Sequence, residues 1–284
     1  MKDVRVKFVD FWGGFDPKTF YLYKMMLSTE YNIILDDINP DIVLGSVFGR
    51  QMDNWSHKKR ILYTGENVKI DFNRCDYFMG FEFSDDERVL RLPIYQLHWG
   101  NSSELDRNNF LKQKELKPNR NKFCAFIHSN ASASKRNDFF WKLSQYKKVD
   151  SGGMAFNNIG YRVDNKVEWL KDYKFCLCFE NYSEYGYLTE KLLEGMMGGC
   201  IPIYWGSESC KEEFNEGSFI NWHHFGNDDD VINRIVELDN NSFKYNQVYE
   251  QSYLIDNKPN EYMDDKRVIN FFEKIFNECA NRTR

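Results

Sequence analysis

The chain has little proline, six residues in 284, and no apolar run near the ~18–20 residues that crossing a bilayer requires. No transmembrane segment is expected, and the composition is that of an ordinary soluble globular protein. The opening Met1-Lys2-Asp3-Val4-Arg5 lacks the hydrophobic stretch of a secretory signal. Cysteines number seven, an odd count in a long chain, so a disulfide scaffold is not expected. Cys124, Cys176 and Cys178 sit in apolar runs and read as small buried hydrophobes. No cysteine pair has zinc-knuckle spacing, and the His223-His224 doublet would splay its two rings on a strand. No resident metal is therefore expected. Basic charge is not in excess either: 43 acids against 38 bases leave a net charge of −5. That argues against a nucleic-acid binder, although a pocket for one phosphate group needs only two or three cations.

What the chain does have is apolar material, 42% of residues, enough over this length for about two domains with separate cores. The first third alternates short apolar runs with helical periodicity. Arg5–Trp12 reads as a strand, Thr19–Tyr31 as a helix, and Asn32–Leu35, Ile42–Leu44, Arg60–Tyr63 and Tyr77–Phe81 as strands. Val89–Tyr95 closes the series. Such runs without polar alternation suit strands buried on both faces, hence a parallel sheet. Residues 106–121 are polar and read as a linker between a lobe over 1–105 and a second over 122–262. The second lobe repeats the alternation: strands at Lys122–His128, Lys174–Glu180 and Ile201–Trp205, helices at Lys135–Tyr146, Leu188–Met197 and Asp229–Leu238. A final amphipathic helix is expected within 263–284, with Val268, Phe271, Phe272, Ile275 and Phe276 at 3–4 spacing. The expected fold class is α/β, two Rossmann-like doubly wound lobes facing a central cleft, with ligands near the C-terminal ends of the strands.

The polar residues just beyond strand ends are therefore the candidates. Glu180-Asn181 follows one strand, and a Gly-containing loop then leads into Tyr187-Leu188-Thr189-Glu190-Lys191 at a helix start. Free amides and the dipole there favour an anion, and Lys191 adds a full charge. Glu190 has two acceptor oxygens for sugar hydroxyls. Read plainly, the same residues are a capped helix start with a solvated lysine. Ser129-Asn130 follows another strand, and Arg136 falls in the first turns of the next helix. A planar guanidinium suits a diphosphate, although an arginine at such a place is more often exposed. The glycines of Ser151-Gly152-Gly153 let a backbone approach a ligand or simply make a turn. In the first lobe, Tyr63-Thr64-Gly65-Glu66-Asn67 ends a strand in a carboxylate placed as a general base would be. Asp85-Asp86 and Asp228-Asp229-Asp230 read as helix caps and solvated charge.

Taken together, Phe179-Glu180-Asn181, Gly186 to Lys191 and Ile201 to Gly206 resemble the α-1,3/4-fucosyltransferases of glycosyltransferase family 10, the bacterial members above all. The likeness extends to Ser129-Asn130, Lys135-Arg136-Asn137, Ser151-Gly152-Gly153, Tyr63 to Asn67, Asp76-Tyr77, Gly80-Phe81 and Arg91 to Tyr95. It implies a GT-B fold, with an acceptor-binding N-terminal lobe and a C-terminal lobe that binds GDP-fucose. It implies inverting fucosyl transfer to an N-acetylglucosamine- or glucose-containing oligosaccharide, forming an α-1,3 linkage without a metal or other cofactor. N-acetyllactosamine, lacto-N-biose and O-antigen are the acceptor types it suggests. Glu66 falls on the family's base, Arg136 and Lys191 on its diphosphate ligands, and Tyr187, Glu190 and Asn181 on donor-contacting positions. Ser129, Asn130, Gly152, Gly153 and Glu180 are candidates for the donor loops. Leu188 stands where valine is usual, and Tyr182 extends the Asn-Ser run. The heptad-repeat basic tail of some bacterial members is absent. The expected location is cytoplasmic, with a peripheral place at the inner membrane left open. Two other readings fit the same lobes: a GT-B transferase using another nucleotide sugar, and a catalytically silent glycan-binding module.

Overall fold

A computed structural model describes residues 1–112 and 120–282, with side chains through Ala280. The chain divides into two compact units, Met1–Asn101 with the C-terminal stretch from Glu261, and Ser102–Asn260. In the first unit, β1 (Lys2–Val9), β2 (Tyr31–Leu35), β3 (Ile42–Gly45), β4 (Lys59–Tyr63), β5 (Tyr77–Gly80) and β6 (Val89–Arg91) form a parallel sheet. Their order is β2-β1-β3-β4-β5-β6. Alternate residues serve opposite faces, as the two-residue period of a strand requires. Ile61 and Tyr63 join one core and Leu62 the other, and Tyr77 and Met79 are split from Phe78 in the same way. Both faces are apolar, which is why these strands read as continuous hydrophobic runs.

The C-terminal helix, Asp265–Arg282, is an integral layer of this first unit. Val268, Phe271, Phe272, Ile275 and Phe276 share a core with Val4, Val6, Tyr21 and Met26. Full burial of each such side chain contributes roughly 1.5–3 kcal/mol. Polar anchors fix the helix in register: the Tyr31 hydroxyl donates to Asn277 at 2.7 Å, Tyr77 donates to Glu278 at 2.6 Å, and Lys59 pairs with Glu278 at 3.0 Å.

In the second unit, β7 (Lys122–Phe126), β8 (Val149–Ser151), β9 (Tyr173–Phe179), β10 (Ile201–Trp205) and β11 (Ile220–Asn221) form a second parallel sheet in the order β11-β10-β9-β7-β8. Phe126, Phe139, Phe140, Phe179 and Ile203 lie in its core. Each sheet has a point where the chain reverses its direction of growth. In the first it lies between β1 and β3, and in the second between β7 and β9. Open α/β sheets bind ligands in the crevice at such points, beyond the C-terminal strand ends.

The expected α/β class is observed in both units, but three expectations are corrected. The span expected as linker, 106–121, overlaps a helix over Glu104–Leu111 that Ser103 caps through its bond from the Asp106 amide. Only Phe110 of that helix is buried, so the sequence carries too little apolar contrast to show it. The rest of that span up to residue 119 lies outside the described residues from 113 onward, and Arg120 packs on the second unit through its bond to the Tyr173 carbonyl. Val89–Tyr95 is not one run: β6 stops at Arg91, and a helix begins at Ile94 after Pro93. Asp228 is not solvated charge. It is 8% exposed and accepts from Lys135, Lys142 and the Trp222 indole, while Asn227 performs the capping.

Candidate active site

The second unit's site is built on the β7/β9 crevice. Its central group is Arg136, in the first turn of the helix Ser134–Tyr146. Arg136 is 2% exposed, not the solvated arginine that is more usual on a helix. Nη2 donates to the Asn130 carbonyl at 2.9 Å and Nη1 to the Phe179 carbonyl at 3.3 Å. One partner lies just past β7 and the other at the end of β9, so the guanidinium spans the crevice. Its Nε has no hydrogen-bond partner, and no carboxylate lies within ion-pair distance among the described residues. Burial weakens its hold on the proton, against the pull of the Glu180 and Glu190 carboxylates and Tyr187. A buried cation with unused donors is costly unless an anion completes it.

The helix start beside it is arranged differently from expectation. Glu180 is fully buried and accepts from the Thr189 amide at 2.8 Å and the Thr189 hydroxyl at 2.5 Å. Lys191 completes the set, 3.1 Å from Glu180, 3.3 Å from Glu190 and 2.9 Å from the Thr189 hydroxyl. A protein carboxylate therefore already occupies the positive end of the helix Glu190–Met197. Burial disfavours the Lys191 charge, yet Glu180 and Glu190 outweigh it and hold the ammonium firmly protonated. Glu180 thus acts as a clamp between the end of β9 and the helix.

The remaining candidates frame these charges. Tyr187 is buried, Asn181 is half-buried next to Glu180, and the loop between them turns at Gly186, whose φ of 88° suits glycine. That loop is tied to the strand after it by Ser183 donating to the Gly206 carbonyl and by the Gly186 amide donating to Ser207, each at 2.7 Å. Ser129 and Asn130 are exposed. Gly153 makes a close approach, but to protein: a Cβ there would stand 2.0 Å from the His128 carbonyl oxygen. At Gly152 it would meet Val163 at 2.5 Å.

His128 is a residue that sequence reasoning missed. It is buried just beyond β7 and stacked on Phe126 with ring centroids 4.0 Å apart, with the Asn137 side chain as a polar neighbour in the electrostatics of the site. Burial, then the Arg136 charge, push its pKa down to about 4, so the ring is neutral at ordinary pH. Its only sequence signal was its place between an apolar strand and Ser129-Asn130.

In the first unit, β4 runs into Thr64 and Gly65. The Glu66 amide donates to the Thr64 hydroxyl at 2.9 Å, and the Val68 amide closes a tight turn on the Glu66 carbonyl at 2.7 Å. A Cβ at Gly65 would lie 2.7 Å from Ile94 Cδ1, so a larger residue there would have to displace the end of that side chain. Glu66 is exposed beyond the strand end. Among the described residues, no three histidine, cysteine, aspartate or glutamate side chains gather as a metal site would require, and no helix is long and apolar enough to cross a membrane.

Two parallel-sheet units with polar groups at their switch points define a GT-B type glycosyltransferase fold. The chain matches the family model "Alpha-(1,3)-fucosyltransferase FucT N-terminal domain" over residues 6–98 and "Glycosyltransferase family 10 (fucosyltransferase) C-term" over residues 117–274. It belongs to glycosyltransferase family 10. An α-(1,3)-fucosyltransferase of Helicobacter pylori is 35% identical over 96% of this chain, and a putative fucosyltransferase of Acanthamoeba polyphaga mimivirus is 31% identical over 69%. The chain spans 66% and 34% of the lengths of those two relatives. The crystal structure of an α1,3-fucosyltransferase with GDP-fucose superposes with a TM-score of 0.79 at 30% identity, covering 97% of this chain and 91% of that one. An Anabaena HepE structure in complex with UDP-glucose, at 9% identity and a TM-score of 0.54, shares the fold.

Proposed function

We propose that this chain transfers L-fucose from GDP-β-L-fucose, with inversion, to a hydroxyl of an N-acetylglucosamine- or glucose-containing oligosaccharide, forming an α-1,3 linkage. The observation that carries this reading is Arg136, a buried guanidinium across the β7/β9 crevice with an unused Nε and no ion-pair partner among the described residues. A diphosphate supplies the missing anion. Family membership and the relative crystallised with GDP-fucose favour guanosine diphosphate fucose as its source.

In this reading Glu66 takes the proton of the acceptor hydroxyl. The hydroxyl oxygen bonds to C1 of fucose as the C1–O bond to the β-phosphate breaks, and that electron pair leaves with GDP. Arg136 and Lys191 stabilise the charge growing on the diphosphate, as cations held in place by the fold do without reorganising during the reaction. Two cations in these positions do the work that a divalent ion does elsewhere, so neither a metal nor another cofactor is required. Tyr187, Glu190 and Asn181 contact the donor, while Glu180 holds Lys191 and the helix start in place. The deciding experiment is incubation with GDP-fucose and N-acetyllactosamine in EDTA, followed by linkage analysis. An α-1,3-fucosylated product supports the reading. No transfer, or transfer only after Mn²⁺ or Mg²⁺ is restored, overturns the activity or its metal independence respectively.

A further inference from the structure

The first unit has its own switch point, between β1 and β3, and the residues just past those strands are Asp10–Gly14 and Ser46–Gly49. This region is held rigidly. Asp10 has a φ of 61°, unusual for a residue with a side chain, and its buried carboxylate accepts from the Gln51 and Met52 amides at 2.9 Å each. Beside it lies an open groove of about 450 Å³ whose lining includes Lys7, Asp10, Trp12, Phe15, Asp37 and Gln51. Trp12 packs edgewise on Phe15 at 5.1 Å and on Phe20 at 6.0 Å, yet 47% of it remains exposed. Phe48, in the loop after β3, meets it edge-on at 6.3 Å and is 54% exposed.

We propose that Trp12, with Phe48 beside it, is the platform of a subsite for a neutral sugar of the acceptor other than the one whose hydroxyl reacts. This rests on the fucosyl-transfer reading. The C–H face of a pyranose stacks on an exposed aromatic ring, and the carboxylate and amide oxygens along the groove accept its hydroxyls. Glu66 follows β4, the strand next to β3 in the same sheet. At the ~4.8 Å spacing of neighbouring strands, the β1/β3 crevice lies about 5–10 Å along the sheet edge from the end of β4. The adjoining sugar of an oligosaccharide covers that distance. The aromatic chain Trp12–Phe20–Tyr63 links the platform to the strand that presents Glu66, with Phe20 and Tyr63 centroids 5.4 Å apart.

The test compares the disaccharide N-acetyllactosamine with the monosaccharide N-acetylglucosamine as acceptors for the parent, Trp12→Ala and Trp12→Phe. The expected result is a fall of about tenfold in the ratio of kcat/KM for disaccharide over monosaccharide in Trp12→Ala, with the rise in KM for the disaccharide, and substantial recovery in Trp12→Phe. An unchanged ratio, whether both acceptors weaken or neither does, overturns the subsite. A parent that transfers fucose to neither acceptor overturns the fucosyl-transfer reading instead. Saturation-transfer NMR with N-acetyllactosamine then decides the subsite alone: binding lost in Trp12→Ala and kept in Trp12→Phe supports it, and equal binding by parent and Trp12→Ala refutes it.

Discussion

Replacing Arg136 with methionine keeps most of the side-chain volume and removes the charge. A guanidinium has five N–H donors, and two of the Arg136 donors are engaged, by the Asn130 and Phe179 carbonyls. The unpartnered Nε and the remaining Nη hydrogens are the donors that the proposed function assigns to the diphosphate. A hydrogen bond to a charged group contributes about 1.5–3 kcal/mol, so losing two weakens binding by at least ~3 kcal/mol, roughly 100-fold in Kd. Stability of the free chain should respond far less. The two orphaned carbonyls cost free energy, but the buried cation without an ion-pair partner disappears, and these effects oppose one another. Arg136→Lys should fall between, since an ammonium keeps the charge but not the fork that spans both carbonyls. Calorimetric titration with GDP, paired with urea unfolding of the unliganded proteins, reads both quantities. If Arg136→Met binds GDP within threefold of the parent, the crevice is not the diphosphate site. If GDP binding and stability fall together, Arg136 is a structural bridge.

Glu66→Gln should lower turnover by roughly 10²–10⁴-fold with GDP affinity unchanged, because the side chain belongs to the other unit; near-normal turnover in a transfer assay would move the base elsewhere. Glu180→Gln leaves Lys191 without its buried partner and should destabilise the fold by roughly 3 kcal/mol in urea. A double-mutant cycle with Lys191→Met should show strong non-additivity, and additive losses would deny the clamp. His128 has its folded pKa lowered to about 4 from 6.5, so the stability of its neutral, buried form is complete above pH 6.5 and is lost as pH falls toward 4. Relative to His128→Phe, the parent should lose ~2–3 kcal/mol more between pH 7 and pH 4.5 in urea midpoints, and parallel losses would place the ring in contact with water.

The strands were legible because both faces of each sheet are buried. Ile42–Gly45 and Tyr77–Gly80 are buried throughout, so their apolar runs stand out without any need for alternation. The C-terminal helix was legible from its single apolar stripe, but not its partner: amphipathic spacing reveals that a face is covered without naming what covers it. The helix Ile94–Asn101 escaped for the opposite reason, since Tyr95, Gln96, Leu97 and Trp99 are all buried and no polar face marks the period. At the site, residue types and their places after strands could be read, but charge balance could not. Sequence spacing put Lys191 at an open helix end, whereas the pairing of Glu180 with Thr189 and Lys191 depends on how β9 meets the helix, a contact across nine residues that no local pattern encodes. For Arg136 the alternative of an exposed helix arginine could not be dismissed from sequence for the same reason, because its burial comes from the end of β9, 43 residues away.

The two switch points carry opposite chemistry, and that opposition constrains how the labour of transfer divides. At β7/β9 the Lys191 ammonium is matched by Glu180 and Glu190 and the His128 imidazole is neutral, so the uncompensated charge is the buried Arg136 guanidinium, which has no ion-pair partner among the described residues. At β1/β3 the groups are exposed aromatic faces beside Asp10 and Asp37, with the one lysine of the groove lining, Lys7, donating to Asp37. An anion placed there would face carboxylates, whereas a neutral sugar finds both a stacking face and hydroxyl acceptors. In the proposed function the nucleotide diphosphate falls to the second unit and the neutral glycan to the first, and the contrast between the two crevices is consistent with that division. The exposed Glu66 follows β4, the neighbour of β3, so the proposed base and the proposed sugar platform share one sheet.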